Sequence, residues 1–174
     1  MGKSVYYLTA WSSTKNYGEA LNDHIQHLPD DSWIVVMDGD TCFLTDDYGD
    51  IIQEAIKDKP NATLMSCRTN RGYGQQMSEE KDIVRLRKIA EDHSRLPAHY
   101  TKVNAILPAF FWLFPKKTWL RNPFDTEKII HNFNSFDTRW VRKIHPKNMY
   151  IVERLFVFHF YRLHKKATNY EHLK

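Results

Sequence analysis

The sequence predicts an α/β protein, a single-domain α/β/α sandwich in which helices cover both faces of a mainly parallel central sheet. Three observations carry this. Over the first 67 residues, short apolar runs alternate with segments of helical spacing, in the order that builds parallel sheets. The run Trp33-Ile-Val-Val-Met37 is apolar at every position, as expected of a central strand covered on both faces. A chain of 174 residues, 42% hydrophobic and 26% charged, suits one core, and no repeat or linker divides residues 1–174.

Each element has its own signal. Val5-Tyr-Tyr-Leu-Thr-Ala-Trp11 is β-branched and aromatic and ends in a polar turn cluster, so it reads as a buried strand. Tyr17, Leu21, Ile25 and Leu28 recur at helical spacing, and Pro29-Asp-Asp closes that helix. Asp46-Asp47 can cap a helix carrying Ile51, Ile52, Ala55 and Ile56, which Lys59-Pro60 stops; residues 62–67 form the next strand. A polar loop over 68–77 precedes a helix from Ser78, with Ile83, Leu86, Ile89 and Ala90 inward. The most apolar segment, 107–114, reads as a core strand. A short helix from Lys116, a turn at 122–125, a helix over 136–144 and apolar runs at 149–152 and 155–163 follow.

Composition excludes several functions. Two cysteines make neither a disulfide framework nor a Cys-based zinc site. No stretch reaches the roughly eighteen apolar residues of a membrane span. The N-terminus runs straight into a strand, unlike a signal peptide, so a soluble cytoplasmic chain is expected. Charge is uneven: residues 1–100 hold 11 basic against 16 acidic groups, and residues 101–174 hold 14 against 5. Nine carboxylates crowd 30–58, which favours a divalent cation, with phosphates beside it in the basic half. No basic helix or zinc-finger spacing indicates a nucleic-acid partner.

The sharpest motif is Asp38-Gly39-Asp40, directly after the apolar strand. In open α/β sheets, ligands bind beyond the carboxyl ends of strands. Two carboxylates at i and i+2 there can approach one Mg²⁺ or Mn²⁺, hard cations that take oxygen ligands. Gly39 is read as letting the chain turn tightly enough for both side chains to converge. Asp-Gly is also a common hairpin turn, but the preceding strand does not alternate and a second Asp follows.

These residues resemble a known pattern. Asn16-Tyr-Gly18-Glu-Ala20-Leu-Asn22, a helix, then Trp33-Ile-Val-Val-Met-Asp-Gly-Asp40 resembles the approach to the DxD motif of GT-A type nucleotide-sugar glycosyltransferases, in particular the large family-two group. Further pieces follow in the family's order: 107–114 with Lys116-Lys-Thr-Trp119; Phe124-Asp125, with Asn122-Pro123 in place of the family's Gly pair; Phe136-Asp137-Thr-Arg139; and Phe158-His159-Phe-Tyr-Arg162. Only 37 residues precede Asp38, so the nucleotide-binding half is expected to be shortened.

The resemblance implies a GT-A, Rossmann-like fold and a metal-dependent, hexosyltransferase-like enzyme. It would move a sugar from a nucleotide-sugar donor to a hydroxyl acceptor. Asp38, Asp40 and His159 are the implied metal ligands for Mn²⁺ or Mg²⁺, and Asp137 the implied general base of an inverting reaction. Thr9, Ala10 and Trp11 fall where base and ribose bind. Asn16, Asn22, Gly39, Arg68, Asn70, Arg71 and Arg162 are candidates for the nucleotide sugar, and Tyr73 and Trp112 for sugar platforms. Other roles stay open at this level. Asp137 can cap its helix or pair with Arg139, and His159, Trp11 and Trp112 can be core residues. A nucleotidyltransferase or other phosphate-processing enzyme, or a non-catalytic nucleotide- or carbohydrate-binding module, fits the same carboxylate pair. The sequence leaves homo-oligomer formation open.

Overall fold

The computed structural model describes residues 2–9, 11–13, 16–72, 74–126, 136–144 and 148–160. In chain order the elements are β1 (Val5–Leu8), α1 (Tyr17–Ile25), β2 (Trp33–Met37), β3 (Thr41–Phe43), α2 (Tyr48–Asp58) and β4 (Leu64–Thr69), then α3 (Ile83–Ser94), β5 (Tyr100–Val103), β6 (Phe111–Pro115), α4 (Lys116–Arg121), α5 (Phe136–Ile144) and β7 (Met149–His159). All seven strands form one sheet in the order β1-β2-β6-β4-β7-β3, with β5 also on β7. The α/β class therefore holds.

The sheet is mixed, which corrects the expectation of a mainly parallel one. β1 with β2 and β4 with β7 are parallel; β6 with β2, β6 with β4, β3 with β7 and β5 with β7 are antiparallel. The reason is β6. Its five residues are all buried, and this apolar strand takes the middle of the sheet between β2 and β4. β1, read as buried, is a half-exposed edge strand that ends at Leu8. β3 and β5, too short to show a pattern, were not expected.

Alternation along the central strands sorts the core into two layers. Ile34, Val36, Trp112 and Phe114 face α1, α4 and α5, through Leu21, Ile25, Trp119, Trp140 and Val141. Trp33, Val35, Phe111 and Leu113 face α2, through Ile51, Ile52 and Ala55. α3 packs Leu86 and Ala90 on Phe156 and Leu44. It begins at Ile83 rather than Ser78, because Asp82 is the residue that caps it: the Asp82 Oδ1 accepts from the Val84 and Arg85 amides, each at 3.0 Å.

Between Cys67↔Val152 and Arg68↔Phe156, β4 advances one residue while β7 advances four. Residues 153–155 bulge out of the ladder, and the side chains of Glu153 and Arg154 are bonded elsewhere. Glu153 pairs with Arg68 at 2.9 Å and accepts from Thr101 at 2.6 Å; Arg154 pairs with Glu54 at 2.6 Å. A bulge of odd length reverses which residues face which side. Met149 and Ile151 belong to the α1 layer, whereas Leu155 and Val157 belong to the α2 layer.

α5 is docked by rings and charge. Phe124, Trp112, Phe136 and Trp140 pack with ring centroids between 4.6 and 6.2 Å, and the Trp140 indole donates to the Asn122 carbonyl at 2.7 Å. The segment carrying Phe124 lies close to α1 because Gly18 has no side chain. A Cβ there would stand 1.9 Å from the Asp125 carbonyl oxygen. Gly18→Ala gains about 1 kcal/mol in helix propensity, but it collides with backbone, which no rotamer change relieves, and overpacking costs about 1–3 kcal/mol. The expected net result is a lower urea midpoint; a midpoint at or above the wild-type value would refute this close approach.

Candidate metal centre and its cleft

The end of β2 and the end of β7 meet at one place. After Met37 the chain turns, with the Thr41 amide donating to the Asp38 carbonyl at 3.2 Å and the Thr41 hydroxyl donating to it at 2.8 Å. This is not a hairpin, because the strand that follows pairs with β7 and not with β2. Thr41 lies opposite His159, and the Phe160 amide donates to the Asp40 carbonyl at 2.8 Å. The Asp38–Asp40 turn is thus stitched to the end of β7.

Stitching brings three candidate ligands together. His159 Nε2 is 3.4 Å from Asp40 Oδ1 and 3.8 Å from Asp38 Oδ2, and one ligand atom from each residue falls within 4.8 Å of the others. Ligands about 2.1 Å from one small cation stand about 3 Å apart when adjacent and just over 4 Å apart when opposite. Both His159 distances fall in that range, and the 4.8 Å limit for the full set is slightly wider. The imidazole, 12% exposed, stacks on Phe110 with centroids 5.6 Å apart. Its Nδ1 lies 3.4 Å from the Arg71 carbonyl. A proton on Nδ1 leaves the Nε2 lone pair facing the carboxylates, the tautomer a metal ligand needs.

These groups open on a cleft of about 620 Å³, a volume suited to a small ligand. Pro108, Ala109, Phe110 and Met77 supply its apolar lining, Arg71 and Lys81 its cations, and Asp137 a further carboxylate. Asp38 is held above the usual carboxylate range, first by burial and then by the like charges of Asp40 and Asp137, with His159 opposing. A carboxylate raised by burial and like charge is one that a bound cation would relieve. Asp137 is in the first turn of α5, where its Oδ1 accepts from the Thr138 amide at 2.8 Å. Arg139 pairs with Asp125 at 3.0 Å, and Lys143 pairs with that carboxylate too, holding it below its ordinary range.

Several expected site residues do other work. Trp112 is fully buried, its indole donating to the Leu107 carbonyl at 2.8 Å, so it is core and cannot be a sugar platform. Asn22 accepts from the Trp119 indole at 2.7 Å and donates to the Phe124 carbonyl at 2.9 Å; it ties α1 to α4 and the turn. Asn16 caps α1 and donates to the Thr126 carbonyl at 2.7 Å. Arg68 braces the bulge through Glu153. Asn70 lines the cleft but is only 3% exposed, and its amide is bonded to the backbone of His159. Gly39 does not have a positive φ, and a Cβ there would make ordinary contact with Thr9 Cγ2 at 3.5 Å, so the turn does not require glycine.

Arg71 lines the cleft as expected. Thr9 is near Gly39, and Trp11 is 79% exposed, a surface residue and not core. Ala10, Tyr73 and Arg162 lie outside the described residues. Lys81 and the Pro108-Ala109-Phe110 lining were not anticipated. No spacing rule links them to Asp38; only the loop after β4 and the entry to β6 do so. No described helix is long and apolar enough to cross a membrane. The chain matches no protein-family model, no curated protein and no solved structure.

Two carboxylates give opposite expectations. The folded-state pKa of Asp125 is lowered, so its contribution is present above the unfolded carboxylate value of about 4 and is lost as pH falls through the folded value. Asp125→Asn should lower the melting temperature at pH 7, and the deficit should shrink as pH falls below about 4; a melting temperature equal to wild type at pH 7 would refute the ion-pair role. The folded-state pKa of Asp38 is raised, so its ionised form opposes folding at neutral pH. In EDTA at pH 7, Asp38→Asn should melt at or above wild type while Mn²⁺ no longer stabilises it. A clear drop in the metal-free melting temperature would make Asp38 a structural residue.

Proposed function

We propose that this chain is a metal-dependent glycosyltransferase of GT-A type, moving a sugar from a nucleotide-sugar donor to a hydroxyl acceptor with inversion. The observation that carries the reading is the meeting of Asp38, Asp40 and His159 at the mouth of a cleft that Asp137 also lines. Asp38, Asp40 and His159 would hold Mn²⁺ or Mg²⁺, whose chemistry is to neutralise a diphosphate as it leaves. Arg71 and Lys81 give the same cleft positive charge for an anionic donor. The apolar lining around Phe110 offers a surface for the CH faces of a sugar or base.

Asp137 is the proposed base. A hydroxyl is a weak nucleophile, and a carboxylate placed to take its proton contributes roughly 10²–10⁴-fold. Asp125, the other acid of this region, is paired with Arg139 and Lys143, whereas Asp137 lines the cleft together with Asp38 and His159. Its contribution to the raised pKa of Asp38 supports a shared electrostatic environment.

Incubation with nucleotide sugars and Mn²⁺ tests the reading through the products. Free sugar, or sugar on an acceptor, together with nucleoside diphosphate is expected. Pyrophosphate or nucleoside monophosphate would point instead to a nucleotidyltransferase, and binding without turnover to a recognition module. Asp137→Asn keeps size and helix-starting ability but removes the base. Transfer should fall by at least about 100-fold with donor affinity little changed, since a base acts in the transition state. Near-normal transfer would take Asp137 out of the mechanism.

A further inference from the structure

Asn70 is the residue at which β4 leaves the sheet. The last ladder pair of β4 and β7 is Thr69 with Val157. Beyond it, the side chain of Asn70 takes over from backbone. Its Oδ1 accepts from the His159 amide at 2.8 Å, and its Nδ2 donates to the His159 carbonyl at 3.2 Å. A primary amide presents one acceptor and a donor side by side, as a strand neighbour does, so Asn70 extends the ladder by one residue without extending β4. On the other edge of β7, Thr41 of β3 lies opposite His159, and the next amide, Phe160, donates to the Asp40 carbonyl at 2.8 Å. The end of β7 is therefore tied on both edges, with His159 itself held by Asn70.

The grip is itself supported. Thr69 Oγ1 lies 3.2 Å from Asn70 Oδ1, and the Arg71 amide donates to Thr69 Oγ1 at 3.3 Å. Lys81 Nζ donates to the Asn70 carbonyl and to the Ser78 carbonyl, each at 2.6 Å. The Arg71 carbonyl, one residue on, is the group facing His159 Nδ1. One short segment thus holds the His159 backbone through a side chain and orients its ring through a carbonyl.

We infer that Asn70 is a positioning residue for the metal centre, fixing the His159 backbone so that Nε2 stays within reach of the cation held by Asp38 and Asp40. The inference rests on the metal reading of that site. Partners behind metal ligands typically change metal affinity 10–100-fold when removed.

The test is Mn²⁺ affinity, measured by electron paramagnetic resonance of the free ion, in a cycle of wild type, Asn70→Ala, His159→Ala and the double variant, with metal-free melting curves alongside. Asn70→Ala should weaken Mn²⁺ about 10-fold or more, and should add little once His159 is already alanine, because it acts through that ligand. A purely structural Asn70 lowers the melting temperature in both backgrounds and leaves Mn²⁺ affinity within about twofold, which would overturn the inference alone. If Asn70→Ala fails to fold, Asn70→Ser takes its place in the cycle: its hydroxyl is too short to span both backbone groups, and the same non-additivity is required. Wild-type chain that takes up no Mn²⁺ overturns the metal reading and this inference with it. Uptake that Asp40→Ala abolishes keeps the first and leaves the cycle to decide the second.

Discussion

The two-sided pairing of β7 is the constraint on which the cleft depends. One edge of this 11-residue strand is bonded to β4, while the other is bonded first to β5 and then to β3. A strand held on both edges cannot slide, so the position of His159 is set by the whole ladder and not by its neighbours in sequence. The bulge at 153–155 then sets the facing. Without it, the alternation that sends Met149 and Ile151 to the α1 layer would send Leu155, Val157 and His159 there too. With it, Leu155 and Val157 pack on the α2 layer and His159 stacks on Phe110 beside the Asp38–Asp40 turn. The polar residues of the bulge are answered by Arg68, Thr101 and Glu54, so the irregularity is bonded rather than merely tolerated.

The carboxylates divide by what surrounds them. Asp125 is matched by Arg139 and Lys143 and serves to hold α5 against the sheet. Asp38 and Asp137 line one cleft with Asp40 close to Asp38, and for Asp38 burial and like charge push against ionisation. A fold gains nothing in stability from that arrangement; an arrangement of this kind is ordinarily kept for what it binds. The aromatic cluster of Trp112, Phe124, Phe136 and Trp140 connects the two groups, because the same packing that buries Trp112 brings the first turn of α5, and Asp137 with it, to the cleft.

Much of the fold was legible locally. The unbroken apolar run of β2, the helical spacing of α1 and α2, and the helix over 136–144 each follow from side chains within one element, and periodicity reports burial directly. The pairing was not legible. Nothing within Phe111–Pro115 says that it lies between β2 and β4 rather than at an edge, and β3 and β5 derive their structure from β7 alone. The same limit applies to expected binding residues. Asn16, Asn22 and Arg68 carry the polar groups that ligand binding needs, but carbonyls and other side chains far along the chain bond to them.

By itself the sequence determined the α/β class and the Asp38-Gly-Asp40 carboxylate pair at the end of a buried strand, because residue type and local spacing encode these, whereas His159 and Asp137 became candidates through the order of short motifs that resembles a known family. Tertiary structure alone decided that Asp38, His159 and Asp137 line one cleft with Asp40 beside the first two, that Trp112 belongs to the core, and that Lys81 and Phe110 join the site. The physical reason is distance along the chain. Asp40 and His159 meet through a ladder whose register depends on a bulge, and a bulge is stable only when partners such as Arg68 and Glu153, far apart in sequence, have already been brought together.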